Sequence, residues 1–433
     1  MALRLGKTES CWKKLFDKYN IVERVKQDGV FRITAEQIKE FREPRLMAKF
    51  DHKKNLPSAF FEHGFGILPV SRGDYLIGPF KLFTSHPKLD EGDPVIRASL
   101  PSTIESVSTD AISSEAVALN CAWDSKMLHS FLGEETLYPT LSGRMGASPF
   151  AFRIRDELGV RNSDISVDGA QIEIDAAYEG HGCLVVIEAK MNLAEDFIVR
   201  QLYYPFRHFS TLAVTKRVRT VYLTYSGGVF HLDEYSFEDP QDYNSITLVK
   251  SGRYTLGGSP LSRTELWKML ESTTSVPEPE GIPFPQADTF ARVINLCERL
   301  AETPMTKEDI EECYGFDSRQ ADYYYNAAAY LGLAKKEGGR GSCAVLTHDG
   351  RDWAALPSSM RNFELTSRIL SHEPFRQVLR QALLRGTVPE IGEVRNVLLS
   401  TNPMLGDACK ATYGRRASTV RHWIQWMLNL ADR

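Results

Sequence analysis

At 433 residues the chain can form two to four domains, each burying its own core. Its 42% hydrophobic and 25% charged residues are those of an ordinary globular protein. No apolar run nears the roughly 18–20 residues that span a bilayer. A net charge of −4 excludes a uniformly basic chain, so any contact with polyanions has to come from local patches.

The seven cysteines are scattered without a CxxC pair, which argues against a disulfide framework and against structural zinc. The first twenty residues alternate charge with apolar side chains and lack the apolar core of a secretion signal. The expectation is a cytoplasmic protein with no membrane partner.

In chain order, residues 1–135 read as an N-terminal α/β domain. Residues 60–80 look like short strands punctuated by glycines, and 103–118 like a polar loop. Residues 136–271 form a second unit. A helix is expected over 147–159, followed by a strand over 170–178, where Ile172 and Ile174 alternate with Glu173 and Asp175. A turn at 179–182 (EGHG) leads into Cys183–Lys190, CLVVIEAK, whose nearly continuous apolar run is that of a strand covered on both faces. A helix over 193–209 and a strand over 220–225 complete an α/β sandwich with a mixed sheet. Residues 272–288 hold four prolines without periodicity and read as a linker. Beyond it lie two helix-rich units, 289–355 and 360–433.

The chemistry concentrates at the end of the 183–190 strand. If the two strands pair across EGHG, Asp175, Glu188 and Lys190 gather at one rim of the sheet, with Glu188 and Lys190 on one face because they are two apart. Two carboxylates suit a Mg²⁺ ion that keeps several waters. Such an ion polarises a phosphoryl oxygen and acidifies water, and a neighbouring lysine can orient or deprotonate that water. The pattern Asp/Glu-x-Lys alone is weak: it also occurs at Asp51–Lys53 and Asp124–Lys126. Only the third copy ends an apolar strand, follows a second carboxylate-bearing strand and precedes an amphipathic helix.

The stretch IEID…VVIEAK resembles the PD-(D/E)xK nuclease superfamily, whose αβββαβ core is shared by most type II restriction endonucleases. The resemblance implies a restriction-endonuclease-like fold: a mixed sheet flanked by helices, with Asp175 and Glu188 as Mg²⁺ ligands and Lys190 serving the attacking water. Gln201, followed by Tyr204 in RQLYYPFRHF, is similar to an accessory motif that positions the lysine or a phosphate. Ile174 stands where the superfamily's name has proline, which leaves Glu173 as a rival ligand. Arg144 is a further residue suited to a phosphate contact or to exposed structural duty.

Two regions resemble DNA readers. Residues 289–355 are similar to a winged helix: a helix entered at Thr306, a candidate recognition helix over 318–331, then strand, glycine-rich turn and strand. In that arrangement Arg319, Gln320 and Tyr323 meet base edges, and Lys335, Lys336 and Arg340 meet phosphates. Residues 360–433 resemble a second helix-turn-helix or winged helix, with Val420, Trp423, Ile424 and Met427 on one face and Arg415, Arg416 and Arg421 near the helix start. From residue 366 onward ten Arg and Lys stand against five Asp and Glu, a local basic excess. The combined expectation is a sequence-specific double-stranded DNA endonuclease. It would act as a homodimer, alongside a cognate DNA methyltransferase, with residues 1–135 left for dimerisation or DNA contacts. A structure-selective repair nuclease and a non-catalytic winged-helix regulator are the alternatives.

Overall fold

In a computed structural model, residues 7–89, 93–109, 112–212, 215–256, 261–339, 341–401 and 410–431 are described. The first unit holds α1 (Lys7–Tyr19), α2 (Ile21–Asp28), β1 (Phe31–Thr34), α3 (Ala35–Lys39), α4 (Pro44–Met47), α5 (Ser58–Phe61), β2 (Gly66–Pro69) and β3 (Asp74–Gly78). The three strands pair antiparallel in the order β1-β3-β2. Trp12, Phe16 and Phe60 meet edge to face beneath them, and the Trp12 indole donates to the Met47 carbonyl at 2.7 Å.

The body of the chain is mixed α/β and carries a seven-stranded mixed sheet. Its elements are β4 (Phe83–Ser85), β5 (Val95–Arg97), α6 (Glu115–Asp124), α7 (Met127–Leu132), β6 (Tyr138–Gly146), β7 (Phe150–Arg155), β8 (Asn162–Val167), β9 (Gln171–Glu179), β10 (Cys183–Lys190), β11 (Asp196–Ile198), α8 (Arg200–Thr211), β12 (Arg217–Ser226), β13 (Val229–Phe237) and β14 (Ile246–Thr255). Sheet order is β5-β14-β13-β12-β10-β9-β6. β10 runs antiparallel to β9 and parallel to β12, so the chain must cross over between β10 and β12, and α8 makes that crossover.

The apolar run of β10 is explained by two cores. Leu184 and Val186 face α8 and the N-terminal unit, while Val185, Ile187 and Ala189 face α6 and α7. Residues 115–132, expected within the N-terminal domain, therefore pack as one cover of the sheet.

Two local expectations fail. Residues 147–159 do not form a helix: β7 and β8 make an antiparallel hairpin. Phe150, Phe152 and Ile154 alternate inward beside Tyr203 and Tyr204, and that period of two carries the segment into a strand. The helix expected over 193–209 starts only at Arg200, because Asp196–Ile198 is drawn into a short pairing with β4.

The helix-rich region contains α9 (Arg263–Ser272), α10 (Phe290–Glu302), α11 (Lys307–Tyr314), α12 (Ser318–Tyr330), the hairpin β15 (Ala334–Glu337) and β16 (Cys343–Leu346), then α13 (His348–Ala355), α14 (Ser358–Leu370), α15 (Glu373–Arg385), α16 (Ile391–Thr401) and α17 (Lys410–Ala431). Capping boxes start α11 at Thr306 and α12 at Asp317. Val420, Trp423, Ile424 and Met427 are all buried, as their spacing implied. The two expected readers share one core: Phe290 of α10 packs on Trp423 and Trp426 of α17. Nor is the segment 272–288 a free tether. Phe284 and Ala287 lie in that core, the Trp423 indole donates to the Ala287 carbonyl, and Ser418 and Thr419 donate to Asp288.

Candidate active site

The site begins with a flaw in β9. Ile172 and Ile174 face the α8 core, yet Ala176 and Tyr178 face the α6 and α7 core. Regular alternation would keep all four on one side, so the pleat reverses between them. Across the strand, Leu141 pairs with Ala177 and Gly143 with Ile174, which sets Asp175 and Ala176 opposite Ser142 alone. This is a β-bulge, and a bulge re-aims the side chain it carries. β9 also pairs with β10 only from Ala176 onward, so the sheet forks at Asp175. Gly143, opposite the fork, has φ of 101°, a value that suits glycine.

In the fork the Asp175 carboxylate accepts the Ala189 N–H at 2.8 Å. Glu188 is buried, and one of its oxygens accepts from the Lys190 ammonium at 2.5 Å and from the Gln201 amide at 2.7 Å. Lys190 Nζ also stands 4.0 Å from Asp175 and 4.0 Å from Glu115. The four expected residues Asp175, Glu188, Lys190 and Gln201 therefore converge. Glu173 does not join them: it pairs with Arg144 at 3.0 Å on the exposed edge.

Three carboxylates surround one ammonium. Burial pushes Glu188 up to about 7, and Glu115 is raised for the same reason, with Asp175 adding to it. Burial works to lower the Lys190 ammonium, but Glu188, Tyr222, Glu115 and Asp175 outweigh it and hold its pKa above the ordinary lysine range. An ammonium so held is a donor and a positive charge rather than a ready base.

This surplus of carboxylate suits a divalent cation. Mg²⁺ takes one or two carboxylates from a protein and completes its shell with waters and substrate oxygens. Asp175 and Glu188 supply such a pair of hard oxygens. Among the described residues no group of three or more His, Cys, Asp or Glu is placed to hold a metal ion, and the carboxylates the fork presents for one are the two of Asp175 and Glu188.

Two neighbours were not read from the sequence. Glu115 follows the N-cap Ser114 of α6, and the Ser-Glu start of an apolar helix was its only signal. Tyr222 lies beside Glu188 in the β10–β12 register, which only topology supplies. A cleft of about 420 Å³ lies beside the fork, lined by Ser114, Glu115, Met191, Asn192, Arg299 and Glu302 among others.

The expected DNA-contacting residues are dispersed. Arg319 is exposed on the first turn of α12, but Gln320 donates to Glu195 at 2.8 Å and Tyr323 is half-buried. Lys335 pairs with Glu337 at 2.6 Å, and Lys336 lies over the Tyr325 ring at 4.8 Å. Arg340 lies outside the described residues. Arg415 is exposed, Arg416 is half-buried with its pKa lowered by that burial, and Arg421 stands 3.7 Å from Glu390. These three lie inside α17 rather than at its start.

Three family models match the chain, each a domain of unknown function: DUF6996 over residues 9–77, DUF6997 over 78–255 and DUF7226 over 292–432. Their limits follow the physical units: the first ends with β3, the second with β14, and the third opens in α10. No curated protein and no solved structure matches the chain. Among the described residues no helix is long and apolar enough to cross a membrane.

Proposed function

We propose that this chain is a Mg²⁺-dependent endonuclease of the PD-(D/E)xK kind that hydrolyses phosphodiester bonds in double-stranded DNA. The observation that carries the reading is the convergence of Asp175, Glu188, Lys190 and Gln201 at a forked sheet edge. The chain order of that sheet supports it: helix, three strands in antiparallel succession, crossover helix, then a strand parallel to the third. Asp175 and Glu188 would hold the ion. The chemistry it supplies is polarisation of a phosphoryl oxygen and acidification of a water. Gln201 fixes the Glu188 carboxylate, and Glu188 in turn fixes the Lys190 ammonium. That ammonium is aimed to orient the attacking water and to offset the charge growing on phosphorus. Base readout is assigned to the helix-rich region, where α10 to α12 and the β15–β16 hairpin have the order of a winged helix. One site per chain and two strands to cut favour a homodimer, and a methyltransferase would protect the host's own sites.

The test is incubation of unbranched plasmid or phage DNA with the full chain and Mg²⁺, followed by sequencing of fragment ends. Discrete fragments sharing a short sequence at each end are expected. Glu188→Ala and Lys190→Ala should abolish cutting while DNA binding persists, and Ca²⁺ should support binding without turnover. Wild-type-like cutting by Glu188→Ala would sink the assignment. Activity confined to junctions or flaps would move it to the repair class.

A further inference from the structure

The five residues after Lys190 are all tied to the helix-rich region. Asn295 on α10 is 1% exposed, and its amide donates to the Met191 carbonyl at 2.9 Å. Its oxygen accepts the Leu193 N–H at 3.4 Å and the Tyr314 hydroxyl at 2.8 Å. The Asn192 amide donates to the Cys313 carbonyl at 2.6 Å. Arg292 donates to the Leu193 and Ala194 carbonyls at 2.9 and 3.2 Å, and the Glu195 N–H donates to the Tyr314 carbonyl at 3.2 Å. The Glu195 carboxylate is shared between Arg292 and Gln320. Arg292 and Asn295 stand three apart, on one face of α10.

An interface made only for cohesion would use apolar side chains, because a buried amide must satisfy both its ends. Here Arg292 and Asn295 of α10 are spent largely on the backbone of one loop. That loop leaves the strand end that carries Lys190, whose ammonium must be held within about half an ångström of its working place.

We propose that Asn295 is a positioning residue for Lys190: through the 191–195 loop, α10 holds the end of β10 where the lysine can act. The inference rests on the nuclease reading of that site. It means that the helix-rich region contributes to cutting as well as to contact with DNA. Through Glu195 the same loop touches Gln320 on α12, so a shift of α12 would reach Lys190 by way of five residues.

The test compares full-length wild type with Asn295→Ala, Tyr314→Phe and Ser226→Ala. Ser226 also joins the sheet to α10, donating to Glu298 at 3.3 Å, but it stands at the end of β12 and touches neither Asn295 nor the loop. Three readings are taken: single-turnover cleavage with Mg²⁺, DNA affinity with Ca²⁺, and amide exchange along 183–196. Asn295→Ala should slow cleavage by about 10- to 100-fold, the usual effect of losing an orienting partner. DNA affinity should stay within about twofold of wild type, and exchange should quicken at Leu193 while Val185 to Ile187 are unchanged. Tyr314→Phe, which deletes one oxygen, should show a smaller fall in the same direction. Ser226→Ala should cut at a rate near that of wild type. Equal losses in Ser226→Ala and Asn295→Ala would reduce the contact to cohesion and overturn the proposal, as would an unchanged rate in both Asn295→Ala and Tyr314→Phe. A wild-type chain that cuts no DNA would instead overturn the nuclease reading on which the proposal stands.

Discussion

Replacing Asp175 separates two duties of one carboxylate. Its Oδ2 accepts the N–H of Ala189, a residue with no exposed surface, at the point where β9 leaves β10. Alanine there leaves a buried donor unpaired, which costs about 1–3 kcal/mol locally. Asparagine keeps an oxygen for that N–H and loses only the negative charge and one hard ligand. Amide exchange at Ala189 should therefore quicken about 5- to 150-fold in Asp175→Ala, the same free energy expressed as an opening constant, and hardly at all in Asp175→Asn. Cleavage should fall in both by more than about a hundredfold, beyond what outer partners of a metal site usually contribute. The assay is exchange followed by mass spectrometry beside single-turnover cutting of plasmid DNA. Wild-type cutting by Asp175→Asn would refute the ligand role. Unchanged exchange in Asp175→Ala would refute the structural one.

Trp423→Ala removes a side chain packed between Phe290 and Phe375, along with its bond to Ala287. The helix-rich region should lose about 3–5 kcal/mol, measured by its urea midpoint. Arg319→Ala should weaken binding to the cut site by about 1–3 kcal/mol with little effect on random DNA, whereas Lys336→Ala should weaken both alike; titrations on paired duplexes decide. Asp233 has its pKa raised by burial to about 6, against about 3.9 in an unfolded chain. The fold therefore prefers the protonated acid, and the stability this gives is complete below about pH 4 and lost as pH rises through about 6. Asp233→Asn should be more stable than wild type at pH 7–8 and equal to it below pH 4, as melting temperatures across that range will reveal.

What the sequence disclosed follows from what one-dimensional patterns encode. CLVVIEAK was legible because a strand covered on both faces admits almost nothing polar, so Glu188 and Lys190 stand out where cover ends. Asp175 was placed at the same rim as Glu188 and Lys190, but the turn of its side chain was not legible: alternation assumes an unbroken pleat, and the bulge at Asp175 and Ala176 breaks it. Phe150, Phe152 and Ile154 carried the period of a strand and were misread as helix, since their partners Tyr203 and Tyr204 lie some fifty residues on. Tyr222 and Asn295 had no local signal, and Glu115 only the start of its helix, for each matters through a neighbour that the tertiary fold supplies. The capped starts of α11 and α12 were readable because a cap and its helix are adjacent in sequence.

The single core shared by α10 and α17 sets an order of events during synthesis. The chain leaves the ribosome from its N-terminus, and the sheet with its fork can close once β14 has emerged. Phe290 of α10 then still lacks the indoles of Trp423 and Trp426, made more than a hundred residues later. Until they arrive, the helix that ties down the 191–195 loop packs on α12, α13 and β16 but lacks the cover of α17. A chain stalled before residue 410 should therefore be clipped by protease within that loop, and the finished chain should resist. Maturation of the site would thus wait on the delivery of α17, a timer written into contact distance along the chain.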